Sequence, residues 1–274
     1  KAHKLIKKGA EVLHFVIAAE TVDVVKLLNN IDLNTTSVSF DMQFMSKSFI
    51  EKVVNLVSNS NNVYFQTDPI GQLARSGNWY DSLTSDFKVF NELIDLNIEN
   101  LVSVDLTLYD NAGADISQQL AYALSHANEY LNALHENGKL QKLKSIEFKV
   151  AVGGNYFFEI AKLRALRKLF KVLAEAYEVS PRCHISTIPS KRNKTIFDYN
   201  VNMLRTTTEC MSAVIGGSDT VYNFPYDSIY KKDNDFANRI ALNQLVLMKE
   251  ESYFDKVENP AEGSYYIETI TNQL

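Results

Sequence analysis

Few side chains in this sequence combine a reactive type with a useful spacing, and most of them are charged pairs. Lys149 and Glu147 share one side of a β-type run. A strand lysine can form a Schiff base with a carbonyl once burial or a cationic neighbour activates it. Glu147 works against that by favouring the charged ammonium. On a helical wheel of residues 155–178, Lys162 falls among Phe158, Leu166, Leu169 and Leu173, with Glu159 three residues before it. That spacing predicts an inward ion pair, structural by default and functional if it faces a site. Arg164, Arg167, Lys168 and Lys171 share the opposite face, which is expected to be solvated. His184, beside Arg182, is the histidine best suited to a site role. His14, His126 and His135 lack the spacing of a metal pair, and the last two read as surface or packing residues. Gly153-Gly154 and Gly216-Gly217 allow tight turns and close backbone approach to a ligand, without a Walker or dinucleotide pattern.

Short β-branched or aromatic runs must position these groups. The pattern predicts strands at 12–18, 37–42, 63–67, 101–108, 145–152, 183–188, 220–223 and 263–267. Between them, helices are expected over 21–29, 45–59, 79–97, 116–137, 156–178, 197–215 and 235–252. Strands alternating with long helices imply an α/β protein with a parallel sheet. The 274 residues suit a single (β/α)8 TIM barrel over 1–274.

Barrel strands, covered on both sides, normally read as continuous apolar runs. These alternate. Ser37, Ser39, Asp41, Tyr64, Gln66, Asp68, Ser103, Asp105, Thr107, Tyr109, Glu147, Lys149, Arg182, His184 and Ser186 are polar. Val38, Phe40, Val63, Phe65, Val102, Val104, Leu106, Ile146, Phe148, Val150 and Ile185 occupy the opposite sides. If the apolar sides meet helices, the polar ones line the axis, which must be wet, liganded or internally paired. Asp41, Asp105, Glu147, Lys149, Glu159 and Lys162 would form its charge network. An antiparallel sheet with one solvated face gives the same alternation, but the intervening helices favour the parallel arrangement.

Lys and Arg number 28 against 33 Asp and Glu, a net charge of −5 with no long basic run, which argues against nucleic-acid binding. Cys183 and Cys210 are too few for a disulfide framework and form no Cys-x-x-Cys pair, so a reducing, cytoplasmic setting is expected. No apolar stretch reads as a secretion signal or a membrane span. The chain starts at Lys1 and stops at Leu274, where a helix is expected to begin after Glu268, so both ends read as cuts in a longer polypeptide.

Residues 155–170 (NYFFEIAKLRALRKLF), 205–223 (RTTTECMSAVIGGSDTVYN), 235–244 (DFANRIALNQ) and 257–268 (VENPAEGSYYIE), in this order, resemble the barrel domain of methylmalonyl-CoA mutases. Weaker similarity, including 111–124 (NAGADISQQLAYAL), extends over nearly the whole chain. The resemblance implies a (β/α)8 barrel. In that family small polar lumen residues admit the pantetheine arm of coenzyme A, and adenosylcobalamin caps the C-terminal mouth.

The family's Tyr-His-Met-Gln-Glu-Ala-Gly-Ala stretch, whose Tyr and His serve the radical rearrangement, corresponds to Thr107, Leu108, Tyr109, Asp110, Asn111, Ala112, Gly113 and Ala114. The histidine position is thus Leu108, and a leucine donates neither a proton nor a hydrogen bond to a thioester carbonyl. The family's Gly-Gly-Thr-Gln-Ser-Leu-His-Thr-Asn is matched from Gly216, so its glutamine and histidine become Asp219 and Tyr222. Gln66 and Arg75 correspond to a glutamine and the acyl-binding arginine. The cobalamin motif Asp-x-His-x-x-Gly does not occur, so no cofactor binding is expected of this chain.

These departures resemble the small, non-catalytic subunit that bacterial mutases pair with a catalytic large subunit. By that resemblance Tyr64, Glu147, Lys149, Arg182 and His184 would fill and neutralise the channel. Adenosylcobalamin and acyl-CoA would be bound through the partner. An independently active acyl-CoA mutase, its pocket reshaped by Arg182, Asp219 and Tyr222, is the alternative.

Overall fold

The computed structural model of the chain describes residues 2–57 and 60–274. The strands are β1 (Val12–Ile17), β2 (Ser37–Met42), β3 (Val63–Phe65), β4 (Val102–Asp105), β5 (Ser145–Val152), β6 (Arg182–Pro189) and β7 (Thr220–Val221). The helices are α1 (Ala2–Ile6), α2 (Val24–Leu28), α3 (Lys47–Leu56), α4 (Pro69–Ser76), α5 (Leu83–Ile94), α6 (Thr107–Ala112), α7 (Ile116–Glu136), α8 (Tyr156–Ala176), α9 (Val201–Ile215), α10 (Asp235–Glu250) and α11 (Tyr265–Gln273). The sheets run β1-β2-β3 and β4-β5-β6-β7, and neither is closed on itself. The pairs β1/β2, β2/β3 and β6/β7 are parallel. The chain is therefore α/β with parallel sheets, as the alternation of strands and helices predicts.

Three expectations need correction. Residues 263–267 form no strand: Gly263 takes a left-handed φ of 76° and α11 begins at Tyr265, ahead of Glu268. Its buried residues, Ile267, Ile270 and Thr271, follow helical spacing, and that outweighs the β preference of the two tyrosines. The fourth strand stops at Asp105. Leu106 is already in the right-handed helical region and α6 follows, ended by Gly113 at φ 103°. Helix α3 ends at Leu56, while positions 58 and 59 of its expected span lie outside the described residues.

By its contacts the chain divides into two compact units. The first comprises residues 1–105, 125–147 and 173–183. Its β1-β2-β3 sheet carries a ladder of rings, with centroids 6.1 Å apart from Phe15 to Phe40 and 5.8 Å from Phe40 to Phe65. Phe49, Ile50 and Val53 of α3 are fully buried, and Ser46 caps that helix by accepting from the Phe49 amide.

The second unit comprises residues 106–124, 148–172 and 184–274. Here the basic face of α8 is solvated at Lys168 and Lys171, as expected, and partly covered at Arg164 and Arg167. Arg164 pairs with Glu268 of α11, and Lys168 lies 3.8 Å from the same carboxylate. Arg167 donates to Asp219 Oδ2 at 2.6 Å. The acid that recruits this face lies about a hundred residues downstream, out of reach of any local pattern.

Candidate functional site

All the expected apolar strand positions from Val38 to Ile185 are buried. Most of their polar counterparts are buried too, including Ser39, Gln66, Asp68, Ser103, Asp105, Glu147, His184 and Ser186. Such groups must find partners inside the protein, and they do so in separate clusters.

In the first unit the cluster is built on Asp68, which caps α4. Its Oδ1 accepts from the Gly71 amide at 2.7 Å, the Tyr130 hydroxyl at 2.6 Å and His126 Nε2 at 2.8 Å. Its Oδ2 accepts from the Asp105 amide at 3.0 Å. The Tyr130 hydroxyl also accepts from the Ile70 amide at 3.1 Å. Gly71 has to lack a side chain, because a Cβ there would lie 2.2 Å from Asp68 Oδ2. Burial pushes the Asp68 carboxyl up, but His126, Tyr130 and the Gly71 amide outweigh it and hold the group below its ordinary value. Tyr80, donating to the Met42 carbonyl, is pushed up to about 12 by burial and by Asp68. Arg75 pairs with Asp105 at 3.1 Å, and Gln66 donates to Glu147 Oε1 at 3.1 Å. Asp41, half-buried, accepts from Gln43 and lies 3.7 Å from His14.

In the second unit Lys162 is wholly buried. Its ammonium meets Glu159 Oε2 at 2.5 Å and donates to the Ala151 carbonyl at 2.7 Å and Gln119 Oε1 at 3.2 Å. His184 Nε2 lies 3.2 Å from the Thr220 hydroxyl. Its Nδ1 lies 4.0 Å from Asp219 Oδ2, which also accepts from the Ile185 amide at 2.7 Å. A third pair joins Lys194 to Glu209 at 2.6 Å, with both side chains fully removed from solvent.

Burial pushes Glu209 up to about 7 against the pull of Lys194 and Asn193. Between the ordinary value of 4.5 and about 7 the folded chain holds a proton that the unfolded chain has released. This contribution to stability is therefore present at the acid side of the window and is lost as pH rises through it. Glu209→Gln is expected to remove that slope. Urea midpoints measured near pH 5 and pH 7.5 test it, and the same slope in variant and parent would contradict it.

The expected site residues are thus divided. Asp41, Gln66, Arg75, Asp105, Glu147 and Arg182 belong to the first unit. Thr107, Leu108, Lys149, Glu159, Lys162, His184, Asp219 and Tyr222 belong to the second. Arg182 departs most from expectation: it is exposed at the first residue of β6 and bonds to Asn100 Oδ1, so it does not fill an interior channel. Thr107 and Leu108 are half-buried and open α6 instead of lying on a strand. Lys149 and Tyr222 are half-buried. His126, expected at the surface or in plain packing, is a member of the Asp68 cluster. Its spacing to Tyr130, four residues on, puts both on one helix face, a usable signal. Lys194 and Glu209 gave none, because they come from a loop and a helix fifteen residues apart.

A family profile described as methylmalonyl-CoA mutase matches residues 8–274. The chain belongs to that family. Relatives of this mutase chain include the methylmalonyl-CoA mutase small subunit of Porphyromonas gingivalis, 36% identical over 293 aligned positions. That alignment covers 100% of this chain and 47% of the relative. The small subunit of Streptomyces virginiae is 37% identical over 218 positions, covering 76% of this chain and 34% of that protein. The Rhizobium meliloti methylmalonyl-CoA mutase is 32% identical over 185 positions, covering 64% and 25%. The chain therefore spans less than half the length of these mutase relatives. Among its described residues no helix is long and apolar enough to cross a membrane, and none form a group of three or more His, Cys, Asp or Glu able to hold a metal.

Proposed function

We propose that this chain is the barrel domain of the small, non-catalytic subunit of a heterodimeric methylmalonyl-CoA mutase, and that residues 1–274 form a single closed (β/α)8 barrel in the intact protein. Its role is to support a catalytic large subunit, which interconverts (R)-methylmalonyl-CoA and succinyl-CoA. The carrying observation is that buried polar side chains on and just beyond the strands pair with others of the protein, as in Asp68–His126–Tyr130 and Gln66–Glu147, and that Glu159 and Lys162 pair within α8. An active relative needs such groups turned toward substrate. Leu108, at the position of the family's histidine, supplies no donor.

The family's cofactor, adenosylcobalamin, supplies the radical when bound. The residues of this chain do not fit it: Arg192 lies against Gly113, which ends α6, and Asn193 against Gly154, just beyond the C-terminal end of β5, the end of the strands where a barrel keeps its ligands. Acyl-CoA and cobalamin then belong to the partner. A cytoplasmic location accords with the free Cys183 and Cys210.

Co-expression with a catalytic chain is expected to give a complex that elutes as one species in size-exclusion chromatography. Two separate species at micromolar concentration would reject the supporting role.

A further inference from the structure

The loop from β6 to α9 is tied down by side chains at almost every step of its first half. Ser190 donates its amide to the Val152 carbonyl at 2.7 Å and its hydroxyl to Asp110 Oδ2 at 2.7 Å. Arg192 donates to the Asp110 carbonyl at 3.2 Å, and a Cβ on Gly113 would lie 2.9 Å from its Nη1. Asn193 donates to Glu209 Oε1 at 2.6 Å, and a Cβ on Gly154 would lie 2.9 Å from its Nδ2. Lys194 donates to both oxygens of Glu209, at 2.8 and 2.6 Å, and to the Ser190 carbonyl at 2.9 Å, with its ammonium 5.4 Å from the centre of the Phe224 ring. Asn202 of α9 closes the run, accepting from the Thr195 amide at 2.9 Å and donating to the Thr195 carbonyl at 2.8 Å. Beyond that point the loop leaves the protein, and Phe197 is 95% exposed.

We propose that residues 190–195 form a strap that the chain closes over α6 and the C-terminal end of β5, with the Lys194–Glu209 pair as its clasp. Parallel α/β domains keep their ligands at that end of the strands. Side chains of the protein itself thus occupy that end of β5, and opening would uncover Asp110, the Gly153-Gly154 turn and Glu209. Glycines at 113 and 154 fit this arrangement, because only residues without a side chain leave room for Arg192 and Asn193. The inference goes beyond the supporting role proposed above and stands on contacts within this chain alone.

Hydrogen exchange of the full chain, followed by mass spectrometry, tests it without a partner. In the parent protein the amides of 190–195 should be protected well above those of the exposed stretch 228–233, whose side chains are all solvent-facing. Lys194→Met and Glu209→Gln are expected to lower protection of 190–195 about tenfold while α8 keeps its own. Asn193→Ala, a milder change that leaves the buried pair in place, should lower it about threefold, and it decides the matter if the clasp variants also unfold α8. A strap that exchanges as fast as 228–233 in the parent, or a protection unmoved in Asn193→Ala and in any clasp variant that keeps α8 folded, would overturn the proposal.

Discussion

Asp68→Ala is expected to lower the unfolding free energy by about 3–5 kcal/mol, more than any surface substitution in this chain. The carboxylate accepts from two backbone amides, Gly71 and Asp105, and from His126 and Tyr130. Truncation leaves all four donors facing a cavity in a buried site, and each orphaned donor carries a desolvation penalty of about 1–3 kcal/mol when nothing replaces the acceptor. Asp68→Asn keeps the shape and should lose less. The sign of the pH dependence follows from the lowered carboxyl. Its contribution is present above the ordinary value of 3.8 and is lost as the pH falls through the folded value. The alanine variant should therefore lose part of the parent's acid limb. Urea denaturation followed by circular dichroism reads both effects, and a loss below about 1 kcal/mol would mean that the cluster is ornamental.

The second large effect belongs to Lys162. Lys162→Met leaves the buried Glu159 without its cation and the Ala151 carbonyl without its donor, and it should cost about 3–5 kcal/mol. Combining it with Glu159→Leu removes both charges together. The double variant should be less destabilised than the sum of the single ones by about 1–3 kcal/mol, because each single variant strands a charge that the double does not. Additive losses in that cycle would show that the two side chains are independent.

What could be read in advance was whatever repeats locally. The two-residue alternation of Ser37–Met42 and Ser145–Val152 gave both strands to the residue. The inward Lys162 with its Glu159 partner was visible because a helix fixes their spacing. Tertiary partners were not visible. The Asp68 cluster needs β3, α4, β4 and α7 at once, so His126 looked like any other helical histidine. The partial cover of Arg164 on α8 is equally hidden, because Glu268 reaches it only after the chain has folded. Helix α4 was missed although its signals are plain: an Asp cap, Pro69 in the first turn and Gly77 in the left-handed region just after it.

The same contrast explains why the polar strand faces suggested a lumen without showing its state. Alternation reports only that a side chain is polar; whether it points at a ligand or at another side chain depends on long-range partners. Here Gln66 donates to Glu147 across 81 residues of sequence, a pairing that no local pattern reveals.

Isomerisation of methylmalonyl-CoA tests the proposed supporting role most directly, with adenosylcobalamin supplied to the full-length protein alone, to a catalytic chain alone and to the two together. The account predicts no turnover above background from the full-length protein by itself, and turnover by the pair that is abolished by disabling the catalytic chain only. Turnover by the full-length protein alone would contradict it and make that protein an independent mutase.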